Sequence, residues 1–199
     1  MVRLTGGAWR GRRLEVPDGI RPTTELARKA VFDILGDAIL GARILDACAG
    51  SGAYGLEALS RGAAHATFVE ADRKVAKALR GNVERLDAGI AARVEEMSVA
   101  RFSSMGEEKN EGGSAPRLGR APGEPPTEPR RDSFDVVFHD PPFREISESE
   151  SDLQLLLSRV RTGGWLFHER GDDAVFSPGG LEPADRRRYG TTRFLVFRP

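Results

Sequence analysis

Cysteine and long apolar runs are almost missing from this chain of 199 residues. Cys48 is the only cysteine, which excludes a disulfide framework and a cysteine-rich metal site. It falls inside an apolar stretch, where a buried structural thiol is the expected state. No segment is apolar over the length that a membrane span needs, and the first residues contain no apolar leader core. We therefore expect a cytoplasmic protein.

An excess of charge is missing as well, because 30 Lys and Arg residues balance 30 Asp and Glu residues. A balanced chain is not expected to bind polyanions without selectivity. Basic residues nevertheless crowd the first thirty positions, where they outnumber the acidic ones. A local basic face could hold nucleic acid, and a solvated surface is an equally open alternative. The basic residues concerned are Arg3, Arg10, Arg12, Arg13, Arg21, Arg28 and Lys29.

Apolar residues make up only 39% of the chain, and the shortage has a local source. Residues from about 103 to 132 are mostly Gly, Pro, Glu, Arg and Ser. Such a segment cannot bury enough apolar surface to offset the entropy that it would lose on ordering. We expect a disordered insertion there. The main domain is predicted to span residues 23–199, after a basic β-hairpin extension over residues 1–22.

The rest of the chain alternates short, continuous apolar strands with helices. This pattern is typical of a mostly parallel sheet that is covered on both faces. The last two strands are close enough in sequence to form an antiparallel hairpin at its edge. We therefore predict an α/β fold. The predicted strands are residues 43–48, 66–70, 93–97, 134–139, 165–168, 186–189 and 194–198; the predicted helices are 53–61, 72–86 and 153–160, with an earlier helix that begins after Thr23 or Thr24.

A glycine-rich turn follows the first of these strands, in the segment Asp46-Ala47-Cys48-Ala49-Gly50-Ser51-Gly52. Ligands of such sheets bind at the carboxyl ends of the strands, and glycine allows close approach to the backbone. The spacing is not that of a dinucleotide fingerprint, and Tyr54 stands where a phosphate-binding loop would need lysine. Glu70 ends the next strand, where a carboxylate can accept both hydroxyls of a ribose. A nucleoside cofactor fits this pattern, and an ordinary tight turn is the alternative.

A second motif, Asp140-Pro141-Pro142-Phe143, follows a later strand. The amino group of a base has its lone pair delocalised into the ring, so it needs acceptors that hold its N–H groups rather than a strong base. The Asp140 carboxylate and the Pro141 carbonyl are such acceptors, and consecutive prolines remove two competing donors. Phe143 can stack on the ring. Together with the glycine turn, this motif indicates methyl transfer from S-adenosylmethionine to an amino nitrogen; a rigid turn is the alternative.

Four segments resemble one family, the bacterial 16S ribosomal RNA guanine-N2 methyltransferases known as RsmD. Two of them are the acidic Pro-Pro-Phe motif and the Arg21-Pro22-Thr23-Thr24 signature with Arg28 and Phe32. The other two are the opening Gly7-Ala8-Trp9-Arg10-Gly11-Arg12-Arg13-Leu14, and Ala49-Gly50-Ser51-Gly52 with Gly55-Leu56-Glu57-Ala58-Leu59-Ser60-Arg61. The similarity extends over nearly the whole chain except the insertion.

The resemblance implies a Rossmann-like class I methyltransferase fold and S-adenosyl-L-methionine as cofactor, with no metal. It implies 16S rRNA or an assembling small ribosomal subunit as substrate, bound by a monomer. The implied catalytic residues are Asp140, Pro141 and Phe143. The implied cofactor-binding residues are Asp46, Ala49, Gly50, Gly52, Glu70 and Ser98, and the implied RNA-binding residues are Arg10, Arg12, Arg13, Arg21, Thr23 and Arg28.

Three positions depart from the family pattern without removing a catalytic group. His139 stands where the family usually has an apolar residue, and we interpret it as a strand-end side chain. Ser98 replaces the expected Asp or Asn at the adenine, and Lys29 replaces a usual Glu. Two other functions stay open at this point. One is methylation of another amino nitrogen, such as adenine N6 or a protein glutamine. The other is a non-catalytic RNA-binding protein on this fold.

Overall fold

A computed structural model describes residues 2–17, 19, 24–105, 133–141, 146–170 and 177–199, with backbone alone for residues 146–149. Three predicted site residues, Arg21, Thr23 and Phe143, lie outside the described residues, as does the predicted insertion from residue 106 onward.

One seven-stranded sheet forms the centre of the molecule. Its strands are β3 (Arg43–Ala47), β4 (His65–Glu70), β5 (Ala92–Glu96), β6 (Phe134–His139), β7 (Val160–Arg170), β8 (Asp185–Tyr189) and β9 (Thr192–Phe197). Their order in the sheet is β5-β4-β3-β6-β7-β9-β8. The first five strands in this order are parallel, and β9 and β8 add an antiparallel pair at one edge.

Five helices cover the two faces of the sheet. The described helices are α1 (Glu25–Leu35), α2 (Ala53–Ser60), α3 (Arg73–Arg85), α4 (Val99–Ser104) and α5 (Ile146–Leu157). Buried side chains of the first three pack with Ile44, Val136 and Phe138 on one face of the sheet. Leu153 and Leu156 of α5 pack with Leu45 and Val137 on the other face. Both faces of the parallel strands are therefore buried, as continuous apolar strands require.

Helix α1 begins where the sequence predicted a cap. The Thr24 hydroxyl accepts a hydrogen bond from the Ala27 N–H at 3.2 Å, and Glu25 lies in the first turn. The helix ends at Gly36, whose φ of +49° suits glycine.

The N-terminal extension forms a small antiparallel pair, β1 (Val2–Arg3) with β2 (Arg13–Leu14). The predicted hairpin is therefore present, but its strands are short and a long loop joins them. Leu4 lies at the start of this loop, directly after β1. Its N–H donates to the Arg12 carbonyl, and its carbonyl accepts from the Gly11 N–H. Val2, Leu4 and Leu14 are all buried against the main domain.

The structure corrects several predicted boundaries. Helix α5 begins at residue 146 rather than 153, and Val160 belongs to β7, which is longer than predicted at both ends. Helix α4 was missed, and its last two residues lie inside the segment that was predicted to be disordered from about residue 103. That boundary is wrong, because Ser103 is helical and buried. Cys48 is half-buried in the turn after β3, with φ of +59°, rather than inside a strand. Within the described part of the chain, no helix is both long and apolar enough to cross a membrane.

Candidate active site

The carboxyl ends of the parallel strands bring the two predicted motifs together. Strands β3 and β6 are hydrogen-bonded neighbours, with Ala47 opposite His139. The Asp140 N–H points to the Ala47 carbonyl at 3.4 Å. The glycine turn after β3 and the Asp140 loop after β6 are therefore one strand apart. A cofactor bound on the turn would lie beside a base held at Asp140.

The glycine turn depends on two left-handed backbone positions. Gly50 has φ of +56° and Gly52 has φ of +80°. A Cβ atom at Gly52 would lie 2.4 Å from Leu79 Cδ1, so both conformation and packing demand glycine. The buried Ala49 closes the turn, donating its N–H to the Val69 carbonyl and accepting from the Gly52 N–H. The turn is held in one shape before helix α2 begins.

Glu70 at the end of β4 supports the turn directly. One carboxylate oxygen accepts from the Gly50 N–H and the other from the Asp72 N–H, both at 2.9 Å. The residue is half-buried. Each carboxylate oxygen has a second lone pair, so both can accept a further donor. This pair of acceptors fits the two hydroxyls of a ribose lying over the turn.

Asp46 lies beneath the turn and is 1% exposed. Its carboxylate accepts the Gly55 N–H in the first turn of α2 at 2.8 Å. Burial raises the pKa of Asp46 well above its usual value, and the charges of Asp140 and Glu70 raise it further. The structure thus shows how Asp46 holds the start of α2. Its predicted contact with the cofactor stays a prediction.

Asp140 and Pro141 occupy the position that the sequence predicted. Asp140 is half-buried directly after β6, and Pro141 is buried beside it. The negative charge of Asp140 contributes to raising the pKa values of Asp46 and Tyr54. Asp140 therefore lies close enough to Asp46 and Tyr54, beside the cofactor turn, for its charge to act on both groups.

A buried polar cluster behind this edge was not predicted. The Tyr54 ring stacks on Phe138, with centroids 4.8 Å apart. Its hydroxyl donates to the Glu169 carboxylate at 3.2 Å, and the Thr192 hydroxyl donates to the same carboxylate at 3.4 Å. Burial is the largest cause of the raised pKa of Tyr54. No sequence motif predicted this cluster. Glu169 on β7 and Thr192 on β9 are more than a hundred positions away from Tyr54 in the sequence.

His139 is buried on the opposite face of the sheet from Tyr54. Its Nδ1 lies 3.1 Å from Nδ1 of His168, its paired neighbour on β7, and the two rings stack. Burial, with a smaller effect from His168, lowers the pKa of His139 well below its usual value. A neutral, packed imidazole agrees with the interpretation of His139 as a structural side chain.

Ser98 lies at the carboxyl end of β5 and caps helix α4. Its hydroxyl accepts from the Arg101 N–H at 3.3 Å. The side chain is exposed on the same edge as Glu70. A contact with the adenine of the cofactor stays a prediction.

The predicted RNA-binding arginines fall into two groups. Arg10, Arg12 and Arg13 are exposed on the extension. Arg28, in contrast, is completely buried, with its Nε 3.4 Å from a Glu57 carboxylate oxygen. The interpretation of Arg28 as an RNA contact is therefore wrong. Its position in a helix, four residues after the cap, places it on the face that packs against α2 rather than toward solvent.

Glu57 anchors the first part of the extension at Thr5. In addition to its ion pair with Arg28, the carboxylate accepts hydrogen bonds from the Thr5 N–H at 2.7 Å, from the Thr5 hydroxyl at 2.8 Å and from Arg61 Nε at 2.9 Å. The Ser60 hydroxyl accepts from the Trp9 N–H at 2.9 Å. The extension is thus fixed on α2 by hydrogen bonds to buried polar groups, which sequence periodicity alone did not reveal.

Comparison with known proteins places this site in a family. The family model described as "Conserved hypothetical protein 95" matches residues 2–112. The ribosomal RNA small subunit methyltransferase D of Escherichia coli K12 is 38% identical over 170 residues, which cover 84% of this chain and 71% of that protein. The chain belongs to the ribosomal RNA small subunit methyltransferase D family. The predicted resemblance is confirmed.

Solved structures share the fold of this chain. A hypothetical protein of Thermus thermophilus is 30% identical, with a TM-score of 0.77 and complete coverage of both chains. An RNA methyltransferase from Salinibacter ruber, in complex with S-adenosyl-L-homocysteine, is 11% identical, with a TM-score of 0.62 over 89% of this chain and 92% of that chain. At that identity the likeness shows the fold alone. The predicted class I methyltransferase fold, with its C-terminal antiparallel pair, is confirmed.

Proposed function

We propose that the protein methylates the exocyclic N2 of a guanine in 16S rRNA of the small ribosomal subunit, with S-adenosylmethionine as the methyl donor. It works as a cytoplasmic monomer on the rRNA or on an assembling subunit. The observation that carries this proposal is the one-strand separation of the glycine turn and Asp140, in a chain of this family.

The cofactor would be held at two adjacent strand ends. Glu70 offers two carboxylate oxygens to the ribose hydroxyls, and the left-handed turn at Gly50 and Gly52 lets the cofactor approach the backbone. When bound, S-adenosylmethionine supplies a methyl group on a positively charged sulfur.

Asp140 and the Pro141 carbonyl would hold the two N–H groups of the target amine. This orientation turns the nitrogen lone pair toward the methyl group. The hydrogen bonds strengthen as the nitrogen becomes tetrahedral and positively charged, so they stabilise the transition state more than the ground state. The extra proton on nitrogen leaves only after transfer, and no strong base is needed.

Substitution of Asp140 tests this mechanism. We expect Asp140→Ala to lower single-turnover transfer of labelled methyl by about a hundredfold or more, the scale of losing one well-placed polar group. Asp140→Asn should retain part of the activity, because its carbonyl still accepts one hydrogen bond. Calorimetry should show unchanged cofactor affinity in both variants.

Asp135→Asn is a matched control at the other end of β6. The Asp135 carboxylate accepts from the Arg43 N–H at 2.7 Å, far from the strand end that carries Asp140. We expect its methyl transfer to equal that of the unmodified protein. Transfer at the normal rate by Asp140→Ala would exclude the proposed role of Asp140, whereas absence of transfer by the unmodified protein would favour the RNA-binding alternative. Mapping methylated guanines in rRNA with and without the protein tests the base.

A further inference from the structure

The C-terminal hairpin ends at the same edge of the sheet as the candidate active site. Strand β9 runs antiparallel to β7, so its first residues lie beside the last residues of β7, with Arg193 opposite Arg170. Strand β8 ends next to the start of β9, with Tyr189 opposite Thr192. The turn at Gly190 and Thr191 therefore projects at the carboxyl edge, where the Asp140 loop also lies.

Three arginines form a row across this hairpin and its neighbour. Arg170 pairs with Arg193, and Arg193 pairs with Arg188. Paired positions on adjacent strands point to the same face, so the three side chains share one face of the sheet. Arg170 is buried, with Glu150 3.8 Å away, whereas Arg193 is half-buried and Arg188 is exposed. We name Arg170, Arg193 and Arg188 the arginine row.

Like charges directly opposite each other destabilise a sheet. Protection of an open edge from aggregation would explain arginine on β8, the edge strand, because charged side chains block edge-to-edge pairing. It does not explain arginine at the paired position of β9, which is an inner strand. The last fifteen residues carry five arginines against one aspartate, in a chain whose net charge is zero. This concentration of charge fits a polyanion.

Arg12 of the N-terminal extension lies toward the opposite end of the strands, their amino ends. The Arg12 guanidinium donates to the Arg85 carbonyl at 2.8 Å, at the end of α3. Helix α3 runs from the carboxyl end of β4 back to the amino end of β5. Phosphates next to a base held at Asp140 therefore need cations other than Arg12.

We propose that the arginine row binds phosphates of the substrate RNA next to the methylated guanine, through Arg188 and Arg193. This inference rests on the proposed function. Counted across the strands, Arg188 lies three strands from the end of β6 that carries Asp140, a lateral distance of about 14 Å at the usual strand spacing, on the sheet face that α5 covers. A few nucleotides of RNA that pass over the carboxyl ends of the strands can span this distance. Among the described residues, no carboxylate pairs with the Arg188 guanidinium, whose Nε donates to the Gly190 carbonyl at 3.1 Å.

The test compares Arg188→Glu with Arg187→Glu. Arg187 is the next residue on the same exposed strand, but it points to the other face and pairs with Asp185. RNA that the unmodified protein methylates is titrated with each variant at several salt concentrations. We expect Arg188→Glu to weaken RNA binding about five- to tenfold and to reduce the salt slope by about one or more, as loss of a phosphate contact does. Arg187→Glu should bind RNA normally.

Two further measurements keep the outcomes distinct. Arg188→Glu should unfold at the same temperature or higher, because it replaces a like-charge pair with Arg193 by an opposite-charge pair, and Arg188→Lys should keep most of the RNA affinity. Equal RNA affinity of the unmodified protein and Arg188→Glu would refute the proposal. Equal loss in both glutamate variants would also refute it, since that result indicates unselective electrostatics. Absence of methyl transfer by the unmodified protein would instead refute the proposed function, whichever of the two glutamate variants binds RNA more tightly.

Discussion

Replacing Glu70 by glutamine should weaken the hydrogen bonds that hold the glycine turn, while the overall fold stays intact. The two carboxylate oxygens accept the N–H groups of Gly50 and Asp72, each at 2.9 Å. Glutamine has nearly the same shape but only one acceptor oxygen. Its amide NH2 must then face one of the two backbone donors, so either the cofactor turn or the start of α3 loses its hydrogen bond.

The size of the effect follows from that lost hydrogen bond. A hydrogen bond to a charged group contributes about 1.5–3 kcal/mol, which corresponds to about a 10- to 150-fold change in an equilibrium constant. The ribose hydroxyls of the cofactor would also lose a charged acceptor. We therefore expect Glu70→Gln to raise the dissociation constant of S-adenosylmethionine by at least about tenfold, measured by calorimetry.

Glu96→Gln is a suitable control, because Glu96 ends the neighbouring strand β5. Its exposed carboxylate accepts from Arg80 at 2.9 Å and supports no backbone turn. We expect normal cofactor affinity in this variant. If Glu70→Gln bound the cofactor as tightly as the unmodified protein, the placement of the ribose at Glu70 would be wrong.

Three other predictions concern stability and the insertion. Glu57→Ala should destabilise the protein by about 3–5 kcal/mol in urea unfolding, because Arg28 would stay buried without its carboxylate partner. The double variant Glu57→Ala, Arg28→Met should recover part of this loss. If the effects of the two substitutions were simply additive, Arg28 and Glu57 would not be energetically coupled. Stability should fall as the pH drops below about 6.5, by up to about 1.4 kcal/mol per pH unit, because the unfolded chain then binds a proton that buried His139 excludes. His139→Leu should flatten this slope in urea unfolding measured between pH 5 and 7.5. Deletion of residues 106–130, outside the described residues, should leave folding and methyl transfer nearly intact; loss of transfer by a folded deletion variant would show that the insertion binds substrate.

The fold could be predicted because its signals are local. Short apolar strands, helical periodicity and glycine at the turns lie within windows of ten or fifteen residues, and they indicated the parallel sheet and the C-terminal hairpin. Helix α5 was predicted too short because its first residues are Ile, Ser and Glu, which show little apolar periodicity. Strand β7 was predicted too short at its start because Gly163 and Gly164 interrupt it.

The candidate site was predictable only where one segment carries the chemistry. The glycine turn, Glu70 and Asp140 each stand at a strand end, so the topology of a parallel sheet is enough to bring them together. No comparable rule of topology predicts the cluster of Tyr54, Glu169 and Thr192. Tyr54 follows the glycine turn, but the acid it contacts is 115 residues away. Which distant side chains meet in a core depends on packing, and sequence periodicity does not specify it.

Burial gives the segment from Gly55 to Arg61 a structural role that is separate from the reacting groups. A Cβ atom at Gly55 would lie 2.3 Å from Phe68 Cε1, Glu57 is fully buried with Arg28, and Ser60 contacts the extension. Gly55, Glu57 and Ser60 are thus each needed for packing or hydrogen bonding, and none of them contacts the reacting groups. The segment preserves the attachment of the extension to α2, while Asp140 and Glu70 carry the proposed chemistry. A chain that kept the acidic Pro-Pro-Phe motif but lost Glu57 should therefore retain the catalytic groups and lose the docked extension.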